Sequence, residues 1–428
     1  MRRASAALGA ALAMLAPLPA PAAPATSIVD LGGTRGYVQS DAAVALTGLE
    51  VFVRAGLDRE GDRQNGLAAL VAQSVLQTPV DGVPLVDAIE ARGGSLTFAV
   101  AAQYVRFYLE AQPENIGPLA DLVARALHAP DFSPATLASA RHELGSRIAD
   151  EESDPRLVGL EMLRESYYVA GAGAPILGTP ASLLQLDPDD ARAFFTRWYV
   201  RGDAFVIAVG RTAATTEAAS RVLAGALAAG SVPEASVETR PLTVEPKRLV
   251  THRDDVYTPY VVVGFSAPAL GDPDFPAALV MSSILSDLFS GDEATARPAV
   301  FRAIGSIYGY DVAPAQLALW VNGGQIDPSV GLTALDALVK AAAEKPLAAD
   351  VLERYKRRAH GEWALEALSL DERAWSIGNA VAHGLDADAS VQVEAAIDGV
   401  TAADVERVAK KWFQRFDIAL VLPRGGGG

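Results

Sequence analysis

The sequence predicts an α+β protein made of two homologous domains, each a mostly antiparallel sheet covered by helices, facing each other as a clam-like chamber. Three observations predict it. The stretch LDPDDARAFFTRWYVRGDAFVIAVG (186–210) overlies VTAADVERVAKKWFQRFDIALVLPR, which begins at Val400, without a gap. Asp190 falls on Asp404, Arg197 on Lys411, Trp198 on Trp412, Asp203 on Asp417 and Val206 on Leu420, all at an offset of 214 (404 − 190). Upstream, Leu137 falls on Leu352 and Arg141 on Lys356, an offset of 215 (352 − 137). Between the halves, residues 230–248 (GSVPEASVETRPLTVEPKR) hold three prolines and no helical periodicity, the composition of a linker. The predicted division is therefore 1–25, 26–229, 230–248 and 249–428.

The first segment carries Arg2 and Arg3, an apolar run from Ala6 to Leu18, and Ala-x-Ala sites at Ala20/Ala22 and Ala23/Ala25. This is the pattern of a secretory signal peptide, because the run is too short to cross the hydrocarbon core and no stop-transfer segment follows. The expected location is periplasmic or secreted, with no membrane span after cleavage. In the first domain LTGLEVFVRAG (46–56) reads as a strand, with a counterpart in PYVVVGFSAPA (259–269) of the second. A helix follows in NGLAALVAQSVLQTP (65–79): Leu67, Leu70, Val71 and Val75 form its buried stripe, and Ala69, Ala72 and Gln73 share another face at i, i+3 and i+4. Asp187 and Thr401 are suited to cap the helices that precede each terminal strand, with acids in the first turn behind them.

The composition excludes several chemistries. The chain has no cysteine, so disulfides, thiolate nucleophiles and thiolate metal sites are absent. Its formal charge of −16 becomes −18 when Arg2 and Arg3 leave with the leader, and no basic cluster of the kind nucleic acid requires is present. No Gly-x-Ser-x-Gly elbow marks a serine nucleophile. The five histidines, at 128, 142, 252, 360 and 383, include no i, i+4 pair, and the acids Asp150, Glu151 and Glu152 read as a solvated helix end.

Gly66-Leu67-Ala68 opening an amphipathic helix, followed by DAIEARGGSLTFAVAAQYVRFYLEA, resembles the insulinase (pitrilysin) family of zinc metallopeptidases. In that family the helix carries Gly-Leu-Ala-His-x-x-Glu-His, with both histidines on zinc and the glutamate as general base. The resemblance implies that Ala69 and Gln73 stand at the histidine positions and Ala72 at the glutamate position. The family's third ligand, a glutamate, aligns through RIADEESDP with Arg147, a permanent cation where a donor is needed. The resemblance therefore implies no catalytic residue, no metal and no cofactor in this chain, with zinc expected in a partner subunit instead.

In the second half PAVFRAIGSIYGYDVAP (298–314) resembles the family segment whose Arg and Tyr hold a substrate backbone. Arg302 is the matching arginine, and a one-residue deletion leaves Tyr308 or Tyr310 as the tyrosine. The same residues also fit a surface charge and a core aromatic. GGSLTFAV (93–100) keeps the glycines of the substrate-pairing edge strand, but Phe98 is expected to narrow the groove, and LSDLFSGDEATARP (285–298) has one glycine where several members have a Gly-rich loop. The implied function is that of a non-catalytic subunit pairing with an active zinc-bearing insulinase-family homologue as a heterodimer and contributing to peptide-substrate binding. A structural or scaffolding homologue is the alternative.

Overall fold

The computed structural model describes residues 24–424 except 232, 234–236, 291–300, 310, 311, 313 and 324–327. Tyr310 and most of the segment 285–298 after Ser290 lie outside the described residues, as does the leader up to residue 23.

The first half contains strands β1 (Ser27–Asp30), β2 (Arg35–Ser40), β3 (Thr47–Val53), β4 (Pro79–Val80), β5 (Val83–Pro84), β6 (Gly94–Val100), β7 (Val105–Ala111) and β8 (Phe205–Gly210). Its helices are α1 (Leu67–Gln77), α2 (Leu85–Glu90), α3 (Ile116–His128), α4 (Pro134–Ser153), α5 (Pro155–Tyr167), α6 (Pro180–Leu183), α7 (Pro188–Trp198) and α8 (Ala214–Ala226). The second half contains β9 (Arg248–Arg253), β10 (Tyr260–Ala267), β11 (Phe301–Gly309), β12 (Ala315–Gly323) and β13 (Phe416–Pro423). Its helices are α9 (Phe275–Ser290), α10 (Pro328–Glu344), α11 (Ala349–Leu365), α12 (Leu370–Ala382), α13 (Ala389–Asp398) and α14 (Ala402–Trp412).

The sheets are ordered β1-β2-β8-β3-β7-β6 and β9-β13-β10-β12-β11. Apart from the extra edge strand β1 they are the same sheet: β2 runs parallel to β8 as β9 runs parallel to β13, and the other pairs are antiparallel. The offset of 214 holds at the level of paired residues, since Gly36 faces Val206 while Val250 faces Leu420. Asp187 and Thr401 cap α7 and α14 through reciprocal bonds with Asp190 and Asp404.

One strand match differs from the sequence alignment. Val51 faces Val206 and Val261 faces Leu420, so β3 and β10 are related by an offset of 210 (261 − 51) rather than the 213 of the aligned runs. The reason is burial: every residue of β3 is buried, so the run has no polar alternation to fix its register.

Both faces of β3 are covered because the halves exchange helices. α12, from the second half, packs on β3 and β8, and α5, from the first half, packs on β10 and β13. Leu49, Val51 and Val53 join the core of their own half, whereas Phe52 joins Leu370, Ala374 and Ile377 of α12. On the other side Val262, the counterpart of Phe52, packs with Leu163 of α5. Each exchanged helix approaches its sheet at a glycine: a Cβ on Gly378 would lie 2.1 Å from the Phe52 ring, and one on Gly159 would lie 2.4 Å from Val262 Cγ2.

Charge reinforces the first of these contacts. Glu50 is fully buried in β3, accepts from Arg106 of β7 at 2.5 Å, and Arg106 also bonds Asp371 of α12. Burial pushes the Glu50 carboxyl up to about 8 against the pull of Arg106. Arg373 of α12 donates to Gln39 and Asp41 of the first half at 2.7–3.0 Å. Two domains of this fold are thereby held as an interlocked pair.

Candidate functional site

The site is built around α1. Its entry needs glycine, because Gly66 has φ +87° and a Cβ there would lie 2.8 Å from Gly178 Cα. The helix has no acid in its first turn and no cap from its own N-cap side chain. The acid comes from outside: Glu60 accepts from Gly66 N at 3.2 Å and Ala68 N at 2.8 Å, satisfying N–H groups the helix itself leaves unpaired. Burial raises the Glu60 carboxyl to about 8, opposed by the backbone N–H groups of Ala68, Gly66 and Leu67 and by Asn65. Sequence reasoning passed over Glu60; its only local signal is an acid six residues ahead of the helix-opening glycine.

The helix is buried on every face, not along one stripe: Leu67 through Leu76 are all buried. Ala69 and Ala72 are 0% exposed and belong to the same apolar core as Phe98, and Gln73 is 6% exposed. Arg147, on α4 against α1, stacks its guanidinium 4.9 Å from the centre of the Phe98 ring. A cation over an aromatic face is attracted by the ring quadrupole. The structure thus gathers α1, Phe98 and Arg147 into one packed unit.

These residues do not fit zinc. Two alanines offer no donor atom, a neutral amide is a poor substitute for imidazole, and a guanidinium repels a dication. Among the described residues no group of three or more His, Asp or Glu side chains converges as a metal site. Asp150, Glu151 and Glu152 are exposed at the end of α4.

Phe98 does not narrow a groove on the open side of its strand. β6 is the outer strand of its sheet, its Leu96, Phe98 and Val100 are buried, and Ser95 and Thr97 are the exposed residues. The alternation puts the aromatic into the core and leaves small polar side chains outside.

Arg302 and Tyr308 both lie on β11. Arg302 is the extra residue of a bulge in β11, between Phe301 opposite Gly323 and Ala303 opposite Asn322. Its side chain lies outside the described residues. Tyr308 turns into its own half: its hydroxyl donates to the Pro268 carbonyl at 2.5 Å and its ring centre lies 5.2 Å from that of Phe275. Burial raises the phenol well above its usual range. This is the setting the core-aromatic reading of Tyr308 expects. The physical reason is strand alternation, which sends its neighbour Ile307, 38% exposed, to the opposite face. Ile307 and Gly309 line a cavity of about 160 Å³ between the halves, closed from the first half by Leu57, Ala102, Leu160 and Arg164.

Comparison with known proteins agrees with this geometry. The family model described as insulinase, peptidase family M16, matches residues 37–180, and that described as the peptidase M16 inactive domain matches residues 185–295. Together they span more than half of the chain, which belongs to the insulinase family. A protease from Helicobacter pylori is similar in structure with a TM-score of 0.81 at 14% identity, over 94% of this chain and 100% of that one. The peptidase M16 inactive domain from Pseudomonas fluorescens has a TM-score of 0.79 at 14% identity, over 94% and 99%. A chain of complex III2 from Candida albicans, solved with Inz-5 bound, has a TM-score of 0.76 at 15% identity, over 92% and 95%. At such identities the likeness speaks for the fold alone. No curated protein matches the chain.

Proposed function

We propose that this chain is the silent subunit of a secreted heterodimeric metalloendopeptidase, paired with a zinc-bearing insulinase-family homologue and contributing to peptide binding in a shared chamber. The observation that carries the reading is the fate of the α1 face: Ala69, Ala72 and Gln73 are packed, with Arg147 against Phe98 beside them, while the two-domain fold around them is complete. A chain in this condition keeps the shape for pairing without the means of hydrolysis. Edge strand β6 supports peptide binding, because strand addition uses backbone groups and only Ser95 and Thr97 stand exposed along it. The periplasm is the compartment expected from the leader, and no helix among the described residues is long and apolar enough to cross a membrane.

Co-expression with a secreted His-x-x-Glu-His homologue tests the proposal. The expected result is a stable complex with zinc-dependent peptidase activity that Arg302→Ala lowers. Absence of a complex, or full activity without this chain, refutes it. The inward Tyr308 favours a second reading, in which the chain serves assembly as a scaffold. That reading expects the complex to form and Arg302→Ala and Tyr310→Phe to leave its activity unchanged.

A further inference from the structure

We propose that the mature chain begins at Thr26 and that its new α-ammonium group forms an ion pair with Asp388, an inference that rests on the secretion reading above. The backbone nitrogen of Thr26 lies 3.1 and 3.5 Å from the two carboxylate oxygens of Asp388. In an uncut chain this is one amide proton shared between two acceptors. Hydrolysis of the Ala25–Thr26 amide by a signal peptidase adds water across the bond, leaving a carboxylate on Ala25 and a protonated amine on Thr26. The same nitrogen then carries a full positive charge and three donors, enough for both oxygens.

Three features of the fold point to this bond. Asp388 precedes α13 and makes no side-chain cap to it, so its carboxylate serves the strand terminus rather than its own helix. Pairing of β1 with β2 begins at Ser27 opposite Val38, so a cut after Ala25 removes nothing the sheet uses. The Thr26 hydroxyl oxygen is buried without a hydrogen-bond partner. Pro24, which the cut removes, lines a groove of about 240 Å³ with Trp363 and Ile377 and takes no part in the β1–β2 pairing.

The other Ala-x-Ala site, ending at Ala22, would put the charge on Ala23 and leave the Thr26 nitrogen a neutral amide. The consequence of the proposed cut is directional. β1 belongs to the first half and Asp388 to the second, so processing adds an ionic tie between the halves that the precursor lacks.

The test expresses the full chain with its leader in an exporting Gram-negative host, then takes the intact mass and N-terminal sequence of the periplasmic protein. Thermal melts follow, for the wild type and Asp388→Asn, both exported and as a cytosolic version in which Met precedes Pro24. The expected mass begins at Thr26, and Asp388→Asn lowers Tm by about 1–2 °C more in the exported form than in the cytosolic form. An exported chain beginning at Ala23, or an equal loss in both forms, overturns the proposal and leaves secretion standing. Retention of the uncut chain in the cytoplasm overturns the secretion reading and this proposal with it.

Discussion

Replacing Gly378 by alanine tests whether the exchanged helix holds the halves together. The new Cβ would stand 2.1 Å from both Cε2 and Cζ of Phe52, with Ile207 Cδ1 at 2.9 Å. The ring has little room to retreat, since it is stacked at 4.9 Å on Phe205 and tilted at 4.9 Å against Tyr104. Overpacking of this kind costs about 1–3 kcal/mol. Alanine in a helix interior returns about 1 kcal/mol relative to glycine, so the sign depends on the clash winning. Set against each other these leave a net loss of up to about 2 kcal/mol, a fall in Tm of up to roughly 4 °C, read by calorimetry on the purified chain. The double variant Gly378→Ala with Phe52→Leu should lose less than the two single losses added together, because the smaller side chain makes room for the methyl. A Gly378→Ala protein that melts at or above the wild-type temperature refutes the tight approach of α12 to β3.

Other expectations concern single groups. The Glu60 carboxyl is raised from an ordinary 4.5 to about 8, so its protonated form stabilises the fold below pH 4.5 and that contribution is lost as pH rises toward 8. Glu60→Gln should flatten the fall in Tm between pH 5 and 8, and an unchanged slope would count against a buried, protonated Glu60. Tyr308→Phe strips the Pro268 carbonyl of its donor and should lower stability by about 1 kcal/mol while leaving the activity of a reconstituted complex intact. Loss of activity at unchanged Tm would instead put this hydroxyl in the chamber.

Much of the fold was legible because the repeat is carried by residues with fixed local tasks. Asp187 and Thr401 announce helix starts through side chains that must meet nearby N–H groups. Arg141 and Lys356, matched in the sequence, both reach backbone carbonyls just ahead of those starts, at Leu186 and Asp398. The β3 register was not legible, since a strand buried on both faces has no alternation to read. Nor was the exchange of α5 and α12, which depends on contacts hundreds of residues apart. At the site, the missing donors on α1 could be read directly from the letters. The Arg147–Phe98 stack, the Glu60 cap and the inward Tyr308 could not, because each depends on the side of an element a residue occupies.

Zinc content is the most direct measurement of the central claim, that the face of α1 cannot hold the family's metal. The purified chain, incubated with zinc and freed of excess by gel filtration, is expected to carry far less than one zinc per molecule and to melt at the same temperature with and without the metal. One zinc per chain, retained through filtration and raising Tm, would contradict the account.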